Sequence, residues 1–218
     1  MIFIGPAGAG KGTIAAMCKD VFGWQQLSTG NLCRQHIQQQ TEFGKKLDVL
    51  ISKGLLVPDD LIMDMVASWM VTECKDVSTV IFDGIPRTVE QIESLHSMLR
   101  QQQPSWQETV ILFSIDQTLL EERILYRVVC SNKSCQAVYS IKPGSLKNPK
   151  IDGICDLCGA LLLKRNDDTA EILKTRLNGY YQVEKDMIYS YQEKGVRIIT
   201  LDASKSVDEV FASLQQQL

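Results

Sequence analysis

The chain has no excess of basic charge, no long apolar run and only two histidines. Lysine and arginine together number 23 against 26 acidic residues, a formal net charge of −3 over 218 residues. Totals of that sign offer no basic face broad enough for a nucleic-acid backbone, and leave room only for a local basic cleft. The longest clean apolar runs, such as Val110 to Phe113, fall far short of the roughly 20 residues that a membrane-crossing helix needs. The opening Met1-Ile-Phe-Ile reaches Gly5-Pro6 at once, with no charged stretch leading into an apolar one. The expectation is a chain without a secretory leader, working in the cytoplasm. His36 and His96 lie in helical patterns without partners at ligand spacing, so neither is expected to hold a metal. What the chain does have is 44% hydrophobic and 22% charged residues, which excludes a disordered chain or a fibre. Its length suits one core carrying inserted segments.

Short apolar runs alternate with helical patterns along most of the chain. Met1–Ile4, Thr79–Phe82, Thr109–Ile115 and Val196–Leu201 read as buried strands rich in β-branched residues. Lys11–Val21, Asp59–Cys74, Thr88–Gln102, Thr118–Tyr126, Thr169–Lys194 and Ser206–Leu218 carry apolar residues at helical spacing. Strands separated by helices imply right-handed crossovers and a mostly parallel sheet. The fold class is therefore α/β. Two stretches break the alternation. Ser28–Val57 is polar and helical, punctuated by Gly30, Gly44 and Gly54, and Arg127–Lys164 is turn-rich, with no sheet expected to hold its loops.

Gly5-Pro6-Ala7-Gly8-Ala9-Gly10-Lys11-Gly12-Thr13 follows the first strand and opens a helix. Glycines let such a loop wrap with its N–H groups inward, the helix N-terminus adds positive potential, and Lys11 is placed to reach the β and γ phosphates of a nucleotide. Four further elements follow: Ser28-Thr29-Gly30-Asn31-Leu32-Cys33-Arg34; Gly54-Leu55-Leu56-Val57-Pro58-Asp59; Phe82-Asp83-Gly84-Ile85-Pro86-Arg87 with Gln91; and Arg123 and Arg127, then Arg165-Asn166-Asp167-Asp168 and Arg176.

The Gly-Lys-Gly-Thr ending and the order of these elements resemble the adenylate kinases over essentially the whole chain. The resemblance implies a parallel-sheet P-loop kinase core of residues 1–27, 58–126 and 165–218. It also implies two mobile insertions, an AMP-binding helical flap at 28–57 and a lid at 127–164. The implied reaction is ATP + AMP ⇌ 2 ADP with Mg²⁺, run by a monomer without nucleic-acid or membrane partners. Phosphoryl transfer passes through a loose, highly negative transition state, so position and positive charge are what the protein supplies. On the family pattern Lys11, Asp83, Arg87, Arg123, Arg165 and Arg176 are catalytic, Asp83 by orienting water on Mg²⁺. The ATP site draws on Gly8, Ala9, Gly10, Lys11, Gly12, Thr13, Arg123, Arg127, Val138, Tyr139 and Lys205. AMP falls to Thr29, Arg34, Leu55, Leu56, Val57, Gly84, Ile85, Pro86, Arg87, Gln91, Arg165 and Arg176. Gln91 is expected to meet the AMP base, since a carboxamide donates and accepts at once. The chain departs from the family pattern at Asn31 (usually aspartate), Ala7, Ile85 and Val128.

Seven cysteines in such a chain argue for thiols or metal ligands, not a disulfide framework. Cys130-x4-Cys135 and Cys155-x2-Cys158-Gly159 form two short-range pairs able to close a tetrahedral Zn²⁺ site of structural type, against a free-thiol or redox alternative. Zinc-bearing adenylate kinases place such ligands at the lid. Other readings of the whole chain are a UMP, CMP or GMP kinase, a non-catalytic nucleotide sensor and a zinc-ribbon nucleic-acid binder. Gln91 and the long lid oppose the first, the full arginine set the second, and the acidic total the third.

Overall fold

Period-two alternation decides the architecture. In the computed structural model, which describes residues 1–53, 55, 57–74, 77–102, 105–132 and 135–218 apart from the side chains of Glu42 and Phe43, five strands form a parallel sheet. These are β1 (Ile2–Ile4), β2 (Gln25–Ser28), β3 (Val80–Asp83), β4 (Thr109–Ser114) and β8 (Arg197–Asp202), in the order β2-β3-β1-β4-β8. Successive side chains of a strand point to opposite faces, and the buried positions of these strands are apolar on both, so both faces are covered. Ile2, Ile4, Val80, Phe82 and Val110 pack on one side with Leu27 of β2. Helices α4 (Asp59–Glu73) and α5 (Val89–Gln102) cover that side through Ile62, Val66, Met70, Ile92, Leu95 and Leu99. Phe3, Ile81, Ile111 and Phe113 point the other way, toward α1 (Lys11–Phe22), α6 (Gln117–Leu125) and α8 (Val207–Gln217). Helix α7 (Ala170–Glu193) serves both layers, with Leu173 and Leu177 in one and Met187 and Tyr191 in the other. Among the described residues no helix is long and apolar enough to cross a membrane.

Two features differ from the sequence expectation. Strand β2 is not among the expected strands, because its run Gln-Gln-Leu-Ser has one buried apolar residue, Leu27, and gains its place from the ladder to β3. The stretch Arg127–Lys164, expected to lack a sheet, holds one of its own. Strands β5 (Arg127–Cys130), β6 (Val138–Ser140) and β7 (Leu162–Leu163) pair antiparallel in the order β6-β5-β7. These strands are two to four residues long, too short for an alternating pattern to stand out in sequence.

The stretch after β2 forms two helices, α2 (Thr29–Gln38) and α3 (Glu42–Ile51). Ser28 and Thr41 cap them, accepting from the amides of Asn31 and Gly44. Gly44 lies against the end of α2: a Cβ there would stand 2.0 Å from the carbonyl oxygen of His36 and 2.8 Å from the amide nitrogen of Ile37. Backbone cannot yield to a methyl group at that distance without separating the helices. Gly44→Ala is therefore expected to destabilise the fold by about 1–3 kcal/mol, the usual range for overpacking. Urea unfolding checks this, and an unchanged midpoint would show that the two helices do not depend on the contact.

Candidate active site

The phosphate loop after β1, the Ser28–Arg34 element after β2, the Asp83–Arg87 turn after β3 and the Lys205 loop after β8 leave the carboxyl edge of the parallel sheet, where open α/β sheets bind ligands, while Pro58 and Asp59 open α4 and Arg165–Asp168 lie between β7 and α7. The phosphate loop joins β1 to α1, and Gly8 and Gly10 take φ of +88° and +89°, a region that glycine enters without strain. Helices α2, α3, α6, α7 and α8 each begin with a side chain accepting from a first-turn amide, whereas α1, at Gly10, and α4, at Pro58, begin with none. In α1 the Thr13 N–H turns back to the Gly10 carbonyl at 3.0 Å, and the Lys11 and Gly12 N–H groups are left for a ligand, the arrangement that suits an anion. Lys11 folds back, donating to the carbonyls of Gly5 at 2.7 Å and Pro6 at 2.9 Å. Burial lowers its ammonium to about 8, eased by Asp83 and reinforced by the positive charges of Arg87, Arg176 and Arg127. The loop and those arginines therefore share one electrostatic field.

Beside the loop lies a cleft of about 620 Å³ open to solvent. Thr29, Arg34, Leu55, Val57, Gly84, Arg87, Gln91, Arg165 and Arg176, all expected at an acceptor site, line it. Ile85 and Pro86 do not. They are buried behind it and shape the turn that presents Arg87, joined by a cis bond. Leu56, also expected there, lies outside the described residues together with Gly54. Gly84 has φ of +88°, and a Cβ on it would meet Thr29 Oγ1 at 2.7 Å and an Arg87 guanidinium nitrogen at 3.1 Å, so the turn has room only for hydrogen. Arg87 donates from Nε to the Gly84 carbonyl at 2.7 Å, which aims its guanidinium. Arg34 donates to Asn31 Oδ1, so the amide that stands in place of the usual carboxylate still holds the arginine.

Two aspartates to which the sequence alone assigns no role organise the remaining arginines. Asp167 accepts from Nε of Arg165 at 2.8 Å and from Arg176 at 3.2 Å, and lines the cleft. Burial works against its charge, but hydrogen bonds and charge from Arg165, with Arg176 and Arg34 behind, hold its carboxyl at about 2. Burial and the neighbouring Arg165 lower Arg34 to about 9, and burial lowers Arg176 to about 10 against the pull of Asp167. Asp168 is fully buried and accepts from Arg127 Nε at 2.8 Å, fastening the first strand of the small sheet to the start of α7. The signal in sequence is an acidic pair two residues after Arg165, though spacing alone does not show which arginine each carboxylate takes. Cys33, Ile51 and Ile62 also line the cleft; Cys33 falls inside the Ser28–Arg34 element, and the sequence does not single out the other two.

Arg123 points away from that cluster. It donates to the Ala203 carbonyl at 2.7 Å and reaches those of Ser204 and Lys205 at 3.5 Å, so α6 and the loop after β8 meet where Lys205 is expected to serve the donor. Asp83 ends β3, accepts from Gln26 at 3.3 Å, and lies 3.5 Å from where a Cβ on Gly12 would stand. Val138 is exposed on β6, and the Tyr139 hydroxyl is taken up by the Asp156 amide at 2.9 Å and by Cys155 Sγ at 3.5 Å. Both thus sit in the small sheet. His96 meets Glu108 at 2.5 Å at the opposite edge of the main sheet, in keeping with a packing role.

The sulfurs of Cys130, Cys135, Cys155 and Cys158 all lie within 4.8 Å of one another. Cys130 and Cys158 approach to 3.3 Å and Cys135 and Cys155 to 3.7 Å. A tetrahedral Zn²⁺ with bonds of about 2.3 Å separates its sulfurs by about 3.8 Å, so the four fit such an ion closely. Tight turns present them: Gly159, at φ +73°, donates to the Cys155 carbonyl at 2.9 Å, and Cys135 to that of Asn132 at 3.1 Å.

A sequence model of the adenylate kinase family matches residues 3–196. The adenylate kinase of Clostridium tetani is 37% identical over 219 residues, covering 100% of this chain and 97% of its own length. That of Clostridium novyi is 35% identical over 219 residues, again covering 100% of this chain and 97% of its own. The adenylate kinase of Methanosarcina acetivorans is 36% identical over 217 residues, with 99% of this chain and 96% of its own length covered. A family match over most of the length, relatives alike from end to end, and a phosphate loop facing an arginine-lined cleft lead to one assignment: the chain belongs to the adenylate kinase family.

Proposed function

We propose that the chain transfers the terminal phosphoryl group of ATP to AMP, reversibly and with Mg²⁺, giving two ADP. The observation that carries this reading is the shared field of the phosphate loop and the cleft, with Lys11 close enough to Arg87, Arg127 and Arg176 for their charges to act on its own. A donor on the loop and an acceptor in the cleft would then meet where the positive charge is densest. A loose transition state spreads negative charge over the transferred oxygens, and cations fixed in advance stabilise it without reorganisation.

The family pattern suggests the roles, and the geometry supports several of them. Lys11 and the free amides of α1 hold the donor phosphates. Arg34 and Arg87, both lining the cleft, clamp the acceptor phosphate, for which the guanidinium fork suits two parallel contacts. Arg165 and Arg176 spend only part of their donors on Asp167, so each can touch the transferred group while still held. Arg123 and the Lys205 loop border the donor, and Arg127 comes from the lid side. Mg²⁺ arriving with ATP neutralises phosphate charge, and Asp83, beside Gly12, is the carboxylate placed to orient its waters. Gln91 reads the acceptor base. Residues 28–57 act as the acceptor flap and 127–164 as the lid, with Leu55 and Val57 against the base and Val138 and Tyr139 brought to the donor on closure. Lid closure, of which the adenylate kinase lid is a standard example, excludes the water that competes as phosphoryl acceptor. The four thiolates hold one structural Zn²⁺, since four protein ligands leave no open position for catalysis. We read the chain as a monomer, and seven cysteines with no disulfide among them suit a reducing compartment such as the cytoplasm.

Lys11→Met is expected to lower turnover by at least about 10²-fold while unfolding stays cooperative, because it removes a charge aimed at the phosphates. A coupled ADP assay with thermal unfolding checks it, and near-normal turnover would overturn the loop assignment. Gln91→Ala should raise the AMP constant roughly 5- to 150-fold, the equivalent of about 1–3 kcal/mol for a base edge left unpaired, with little change for ATP. Equal shifts in both constants, measured by varying each nucleotide in turn, would remove Gln91 from base recognition. Metal analysis of protein expressed in zinc-replete medium should find about one Zn²⁺ per chain, the capacity of a single four-thiolate site. Chelation should increase proteolysis within 127–164 before it affects the core, and metal-free protein after such expression would refute the site.

A further inference from the structure

A glutamine cannot by itself tell a 6-amino purine from a 6-oxo purine. Turning its amide over exchanges donor and acceptor, so the same side chain pairs with adenine in one orientation and with hypoxanthine in the other. Selectivity then depends on whatever stops the amide from turning. Gln91 is 2% exposed and lines the cleft, and both ends of its carboxamide are held from behind. Its Nε2 donates to Asp59 Oδ1 at 2.6 Å, and its Oε1 accepts from the backbone N–H of Arg87 at 2.7 Å. A carboxylate oxygen only accepts and a backbone N–H only donates, so each contact tolerates one orientation, and it is the same orientation for both. One N–H and one oxygen lone pair of Gln91 remain for a ligand.

Asp59 is itself fixed. It stands in the first turn of α4, where the helix N-terminus favours a negative charge, and its Oδ2 accepts from the Thr88 hydroxyl at 2.8 Å. The Thr88 hydroxyl in turn accepts from the backbone N–H of Gln91 at 3.1 Å, which completes a ring of contacts joining the starts of α4 and α5. We propose that Asp59 is the specificity-determining residue behind Gln91, a positioning group that locks the carboxamide in the sense that accepts the adenine of AMP and rejects 6-oxo purine monophosphates. This rests on the reading of Gln91 as the group that meets the acceptor base.

The test is the ratio of kcat/KM for AMP to that for IMP, with ATP as donor, in the wild type, Asp59→Asn, Asp59→Ala, Gln91→Ala and the Asp59→Ala/Gln91→Ala pair. Asp59→Asn keeps the shape, but the new amide can face Gln91 with either a donor or an acceptor, so that only the Arg87 N–H still holds the orientation, and the ratio should fall by up to about tenfold, within the range a base-reading pair is worth. Asp59→Ala should lower it at least as far, with the loss in the AMP constant and the ATP constant little changed. In the Gln91→Ala background the Asp59 substitution should leave the ratio where it is. A lowered ratio in Gln91→Ala with an unaltered one in Asp59→Asn overturns the lock and leaves Gln91 as the base reader. An unaltered ratio in Gln91→Ala overturns the base reading itself. A loss that falls equally on AMP and IMP, or that persists without Gln91, makes Asp59 a structural residue only. Should Asp59→Ala fail to fold, the isosteric asparagine variant decides the matter alone.

Discussion

The constraint on which this molecule turns is the crowding of like charge. Lys11, Arg34, Arg87, Arg127, Arg165 and Arg176 converge above one sheet edge, and Asp83, Asp167 and Asp168 are the carboxylates tied into that group. Two unit charges 4 Å apart near a protein surface repel by about 4 kcal/mol, so such a gathering survives only when each cation is anchored. Asp167 answers two arginines at once, and Asp168 secures a third from a fully buried position. Burial does most to lower Lys11 to about 8 and Arg34 to about 9, and the neighbouring arginines add to it while Asp83 and Asp167 work against it. A polyanion reverses the sign of the problem: its charge relieves the repulsion that the fold sustains without it, which is a source of affinity for phosphates that needs no further contact.

Rigid supports carry this gathering. The loop lysine follows a strand buried on both faces, Arg87 leaves a turn that only glycine at position 84 permits, and Arg165 and Arg176 flank the start of a helix of 24 residues. Preorganisation of this kind is what electrostatic catalysis requires, because cations that must move into place spend the energy they would otherwise lend. The neighbouring helices α2 and α3 are held differently, through side-chain caps and one close glycine contact, and present fewer fully buried residues to the core.

Much of this is legible without coordinates. Continuous β-branched runs mark four of the five parallel strands, and the strand–loop–helix setting of Gly5–Thr13 makes the phosphate loop plain. Arginines stand out because their order matches a known pattern. What stays hidden are pairings. Strand β2 has too few apolar residues to announce itself, and the strands of the small antiparallel sheet are too short for their alternation to register. Asp167 and Asp168 are visible as letters but not as partners, since which arginine each one takes depends on how α7 meets β5. In sequence Asp59 is only the end of a cleft segment, and its contact with Gln91 spans 32 positions. Asn31 shows the reverse case: a departure from pattern that preserves the contact, because an amide oxygen accepts from Arg34 as a carboxylate oxygen does.

The small antiparallel sheet has its own consequence. Its first strand begins at Arg127 and its last ends at Leu163, and the two lie side by side, with Val129 opposite Leu163 and Cys130 opposite Leu162. Adjacent strands run about 4.8 Å apart, so the chain leaves the core and returns to it at nearly the same point. Everything between those two strands is a cassette whose ends are already joined by backbone hydrogen bonds. Residues can be added to it, removed from it or exchanged within it without altering the path of the core, so its length is free to vary while the parallel sheet stays as it is.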